Sequence, residues 1–180
     1  MREGDAGGST REVERCEMKI AGKVSWFGGP YDEGVAPDEG LAFIFDVSDA
    51  PYLFLPEQPD GTTGLARRLN PNMPYVACRW DYDETPKDVL LGGVAVVYAP
   101  KTGRAFFAAP ADWGPHQDTG RVADVSSGLL QALGIETDDE VEVLFPVKYE
   151  RKFNEKILTR FKEHGVSLKK PTTATREGEV

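Results

Sequence analysis

Glycine and proline interrupt this chain every few residues, and that punctuation favours short strands and turns over long helices. Nineteen glycines and 13 prolines stand among 180 residues, and both residue types break helices or set turns. The apolar segments between them are short. M-K-I-A-G-K-V-S-W-F-G-G (18–29) puts Met18, Ile20, Val24 and Trp26 on a rough period of two and ends in Gly28-Gly29-Pro30, which reads as a strand and then a turn. P-Y-V-A-C-R-W (74–80), L-L-G-G-V-A-V-V-Y (90–98), A-F-F-A-A (105–109) and E-V-E-V-L-F (140–145) read as further strands. Pro100-Lys101-Thr102-Gly103 makes a hairpin connection between two of them. L-A-F-I-F-D-V (41–47) fits a buried strand or a short helix, and D-Y-D-E-T-P-K-D (81–88) is a loop. Residues 50–74 are irregular, with a helical turn within 61–70 whose glycines lack the lysine and hydroxyl of a phosphate loop.

Two helices complete the pattern. S-S-G-L-L-Q-A-L-G (126–134) carries the stripe Leu129, Leu130, Leu133, with Ser126 or Ser127 to cap its start and Gly134 to close it. Over 148–164, Tyr149, Phe153, Ile157 and Phe161 recur every four residues, a face for docking on the domain or on a second copy as a homodimer. The expected organisation is a mobile polar arm over 1–17, one β domain over 18–147, an amphipathic helix over 148–165 and a disordered tail over 166–180. Six or seven short strands with one small helix before the last make a mainly β fold, and closing them as a barrel hides the sheet edges.

Charge narrows the partners. A net charge of -9 repels nucleic-acid phosphates and anionic lipid heads, but leaves neutral glycans open. No apolar run is long enough to span a membrane, and the first 15 residues hold no secretory signal. Residence in the cytoplasm, export by another route and a trimmed leader all remain open. Cys16 and Cys78 make neither a disulfide framework nor a zinc pattern, so one bridge and two free thiols remain alternatives.

The densest polar stretch is P-A-D-W-G-P-H-Q-D-T-G-R-V-A-D-V-S (110–126). Asp112 follows an apolar strand and precedes an indole, where burial raises a carboxyl pKa. It is the candidate acid; the plain alternative is a turn cap. Asp124, just before the short helix, is placed to bond loop amides at the helix start. Asp112, His116 and Asp118 do not have a diagnostic metal spacing, and neither metal nor cofactor is expected. Trp26, Tyr31, Trp80 and Trp113, with His116 beside them, are candidates for a sugar platform, since aromatic faces stack on pyranose rings. Asp81, Asp83 and Glu84 read as a solvated loop able to supply a second carboxylate to such a site.

These segments together carry a resemblance. G-K-V-S-W-F-G-G (22–29) is similar to the G-x-A-S-W-Y-G opening of rare lipoprotein A-like and expansin-like double-psi β-barrels. V-V-Y-A-P-K-T-G-R-A-F-F-A-A-P-A-D-W-G-P resembles their strand, G-R turn, strand and D-R-G-P passage, and G-R-V-A-D-V-S-S-G-L-L-Q-A-L-G resembles the g-R-v-i-D-L-S run that follows. The similarity spans roughly residues 20–146 and leaves 50–74 without a counterpart. Trp113 stands where the family has arginine, and V-A-C-R-W where the lipoprotein group has A-A-H. The resemblance implies a six-stranded double-psi β-barrel with a short inserted helix, to which this chain adds a C-terminal helix. It implies action on cell-wall polysaccharide, peptidoglycan or a glucan, as a septal-ring type lytic transglycosylase or as a non-catalytic binding module. It sets Asp112 in the place of the catalytic acid, with Asp124 as the second aspartate. A barrel used for protein contacts is the third reading.

Overall fold

A computed structural model describes residues 18–145. The arm over 1–17, the expected helix over 148–165, the tail over 166–180 and any pairing of Cys16 lie outside the described residues. Six strands, β1 (Met18–Trp26), β2 (Tyr75–Cys78), β3 (Ala95–Ala99), β4 (Arg104–Trp113), β5 (Arg121–Val125) and β6 (Glu140–Phe145), close into a barrel in the order β1-β5-β2-β4-β3-β6. β1 runs parallel to β5 and β2 parallel to β4; the other four neighbouring pairs are antiparallel. Closure gives every strand two partners and leaves no free edge.

The barrel interior follows from register. Val24 lies opposite Ala123, which lies opposite Cys78, and all three are fully buried. Val97 and Val143 face each other in the same state. All four residues of β2 are buried, so this strand shows no inside–outside alternation. Its outer side is covered as well.

Residues 27–74 form a long excursion between β1 and β2, with two 3-10 turns, Val47–Asp49 and Pro51–Leu53, and one α-helical turn, α1 (Leu65–Arg68). Its segments bond to one another: Gly64 N–H to Pro37 C=O at 2.8 Å, Ala66 N–H to Glu39 C=O at 3.0 Å, and Asn70 N–H to Leu53 C=O at 2.8 Å. Buried Asp32 takes the N–H groups of Gly28 and Gly34, and the Tyr75 hydroxyl donates to Phe27 C=O at 2.8 Å, pinning the excursion at the exit of β1.

Residues 41–46 become neither strand nor helix, though Leu41, Phe43 and Ile44 are buried, and Val47 opens a single 3-10 turn, Val47–Asp49. Side chains capture the backbone: Asp46 accepts Ser48 N–H, and Asp49 accepts the N–H groups of both Phe45 and Asp46. Local bonds of this kind replace a ladder. The strand expected over 90–98 starts only at Ala95, because α2 (Lys87–Leu90) and a turn occupy the residues before it.

Gly64 is held at close range. A Cβ there would stand 2.5 Å from the Asp38 carbonyl carbon and the Glu39 nitrogen, backbone atoms that cannot swing aside. Gly64→Ala is therefore expected to cost about 1–3 kcal/mol, read as a lower urea midpoint at unchanged slope.

The inserted helix α3 (Ser127–Leu133) starts and stops as its sequence demands. Ser126 Oγ accepts Leu129 N–H at 3.2 Å, and Gly134 closes it in the left-handed region at φ 69°. The β3–β4 hairpin meets its last carbonyls: Thr102 Oγ1 donates to Leu133 C=O at 2.6 Å and Arg104 Nη1 to Ala132 C=O at 3.2 Å. Among the described residues no helix is long and apolar enough to cross a membrane.

Candidate functional site

The two motif aspartates sit on one row of the barrel. Ser25 of β1 is opposite Asp124 of β5, Asp124 is opposite Ala77 of β2, and Ala77 is opposite Asp112 of β4. Register partners share a face, and the adjacent row Val24–Ala123–Cys78 is the interior one, so Ser25, Asp124, Ala77 and Asp112 line the outer side. One strand separates the aspartates, which sets their Cα atoms about 10 Å apart.

Asp124 lies inside β5 rather than in a loop at the helix start. Ser126, two residues on, caps the helix as its sequence suggests. The Asp124 charge acts on its neighbours: after burial, it is the next influence raising the Cys78 thiol, and it helps hold the Arg121 guanidinium protonated. Cys78 is a free, fully buried thiol kept well above its ordinary pKa, which makes it inert as a nucleophile.

Asp112 near the end of β4 is half-buried. Its Oδ1 accepts two backbone N–H groups, from Ala42 at 2.7 Å and from Trp113 at 2.8 Å. Among the described residues, Oδ2 accepts none. Burial pushes its pKa up to about 6, the two backbone donors pull against that, and the Glu39 charge adds to the rise. Desolvation wins over the bonds that favour the ionised form. The turn-cap reading of Asp112 describes Oδ1, which caps two backbone amides, and Oδ2 stays outside that cap.

Two indoles hold this end of β4. Trp80 Nε1 donates to Asp112 C=O at 2.8 Å, and Trp113 Nε1 donates to Trp80 C=O at 3.0 Å. Trp80 is 3% exposed and packs edge-on against Phe145 at 5.7 Å. Its ring is enclosed, so it positions Asp112 rather than offering a sugar platform. Trp113, next to Asp112 in the chain, is 40% exposed. Trp26 ends β1 half-buried opposite Val125, and Tyr31 stands exposed in the turn beyond it. His116 follows the cis Gly114–Pro115 bond, and its exposed ring is engaged with its own turn: Nδ1 accepts Asp118 N–H at 3.3 Å and lies 3.2 Å from Asp118 Oδ2. Among the described residues no three His, Cys, Asp or Glu side chains gather as a metal set.

Three residues that the sequence did not mark complete the surroundings of Asp112. Glu39 acts on it through charge. The Tyr82 phenol is raised by burial and then by the Asp112 charge. Lys87 Nζ lies 4.9 Å from the centre of the Tyr82 ring and 3.5 Å from Ala42 C=O. Of the loop carboxylates 81, 83 and 84, Asp81 folds its own turn, accepting Asp83 N–H on Oδ1 and the Thr85 N–H and hydroxyl on its carbonyl. Glu39 is a carboxylate whose charge reaches Asp112. Nothing in the local sequence marks Glu39; Tyr82 and Lys87 carry only the signal of flanking a turn just after β2. A separate cavity of about 400 Å³ at Arg104, Ala105, Phe106 and Ala132 lies toward the opposite end of β4.

These elements define a closed six-stranded mixed β-barrel with the half-buried Asp112 carboxyl near a strand end. No family model matches the chain, and no curated protein matches it.

Proposed function

We propose that this protein is a double-psi β-barrel of the rare lipoprotein A and expansin type that cleaves cell-wall polysaccharide, peptidoglycan foremost, in the manner of a lytic transglycosylase. The two parallel pairs within one six-stranded barrel support the fold part of this reading. The observation that carries the function is the Asp112 carboxyl, whose pKa burial pushes up to about 6, beside the exposed Trp113.

One such group is enough. Protonated Asp112 gives its proton to the glycosidic oxygen as the bond to the anomeric carbon breaks. A hydroxyl of the same sugar attacks that carbon, and its proton goes to the Asp112 carboxylate, restoring the acid. No water is consumed, and the product is an internal anhydro sugar. Oδ1 is fixed by two amides, so Oδ2 is the oxygen that carries the proton. Trp80 fixes the backbone at Asp112, Trp113 stacks on the sugar, and Asp124 stands across β2 as the second carboxylate of the row.

Incubation with purified peptidoglycan tests this. Anhydro-muropeptides are the expected product, at a rate that falls as pH rises above about 6. Reducing-end products without anhydro sugars would replace this mechanism with hydrolysis. The exposed Trp113 face also supports a binding module: retention on insoluble peptidoglycan or cellulose with no soluble product would favour that reading.

A further inference from the structure

The residue bonded to Asp112 is tied on its other side to a lysine. Ala42 gives its N–H to Asp112 Oδ1 at 2.7 Å, and its carbonyl lies 3.5 Å from Lys87 Nζ. One residue of backbone thus links the carboxyl and the ammonium, on the scale of a single sugar ring. The loop before Lys87 is built to hold it there. Asp81 C=O collects the N–H groups of Glu84 and Thr85 and the Thr85 hydroxyl, Thr85 is buried, and Pro86 starts α2 with Lys87 at its first position. The ammonium rests over the Tyr82 ring. It has three donors and holds one distant carbonyl, so it retains donors for a ligand. The side chain is exposed.

Charge gives this lysine a meaning. A chain of net charge -9 repels anions over most of its surface, so a cation next to the acid is a local exception. Glu39 contributes negative charge to the same corner, as Asp112 does once it has given up its proton, and an anionic ligand would need a cation to offset them. A neutral glucan has no use for one.

We propose that Lys87 binds a carboxylate carried by the wall polymer near the bond that Asp112 attacks, so that the site selects acidic wall polymers over neutral ones. This rests on the polysaccharide reading above. The test is sedimentation with insoluble peptidoglycan, with the same peptidoglycan after amidation of its carboxyl groups, and with cellulose. Wild-type protein is expected to bind native peptidoglycan about tenfold or more tightly than the amidated polymer. Lys87→Gln is expected to lose that preference and to bind amidated polymer as the wild type does, with an unchanged melting curve. Lys87→Arg is expected to keep most of the preference, because the charge stays. Added salt is expected to shrink the difference. Equal wild-type binding to native and amidated peptidoglycan, or an undiminished preference in Lys87→Gln, overturns this inference and leaves the polysaccharide reading standing. Wild-type protein that sediments with none of the three polymers overturns both.

Discussion

Asp112→Asn is expected to lower glycan cleavage about a hundred- to ten-thousandfold while leaving the barrel at least as stable at neutral pH. Asparagine keeps an oxygen for the Ala42 and Trp113 N–H groups but cannot deliver a proton. The stability half follows from the direction of the pKa shift. The Asp112 carboxyl rises from 3.8 to about 6 on folding, so the fold favours the protonated form. That contribution is complete below about pH 4 and is lost as pH rises through about 6. Above this window the buried carboxylate costs on the order of 2–3 kcal/mol, and asparagine never meets that cost. Urea unfolding of both proteins at a series of pH values checks it: the stability difference should grow in favour of the variant between about pH 4 and 6, then level off. Full activity in Asp112→Asn would remove Asp112 as the acid. A stability difference that does not change with pH would remove the buried-proton account.

Trp80→Ala is expected to be the most destabilising single change near the site, at about 3–5 kcal/mol. The ring is enclosed against Phe145, and its loss also frees the Asp112 carbonyl. Trp80→Phe separates the two effects, since it keeps most of the packing and leaves one buried carbonyl without its donor, for about 1–3 kcal/mol. Trp113→Ala should behave in the opposite sense. Its indole bond to Trp80 is lost, but the ring is substantially exposed, so stability falls by only about 1 kcal/mol while retention on peptidoglycan falls severalfold. Denaturant melts and sedimentation on the three variants decide the matter. Trp113→Ala with wild-type retention would take the sugar contact away from that indole.

The strands were legible where burial is one-sided. β1 alternates in burial from Met18 to Lys23, and its period of two shows in the sequence. α3 was legible because its serine and glycine signals act within a few residues. The run 41–47 misled because apolar content fits strand and helix alike, and two aspartates settled the backbone into turns. β2 is enclosed on both sides by segments distant in sequence, which no local pattern reports. The site divides in the same way. Asp112 stood out from its neighbours in the chain, and Trp113 with it. Trp80 looked like a platform because a sequence does not say which indole is covered. Glu39, Ala42, Tyr82 and Lys87 reach the site only through folding, Ala42 across 70 residues.

The pairing of β1 with β6 has a consequence for how the barrel is made. Met18 faces Phe145, and the ladder continues residue by residue to Lys23 opposite Glu140. The two ends of the domain therefore meet side by side, as the first and last staves of a cask. Until residues 140–145 have left the ribosome, β1 and β3 each keep an open edge, and the nascent domain is a curled sheet ready to pair with another chain. Once β6 is in place, a short linker could join Phe145 to Met18 and new ends could be opened elsewhere on the surface, since the circle is complete in space and broken only in sequence.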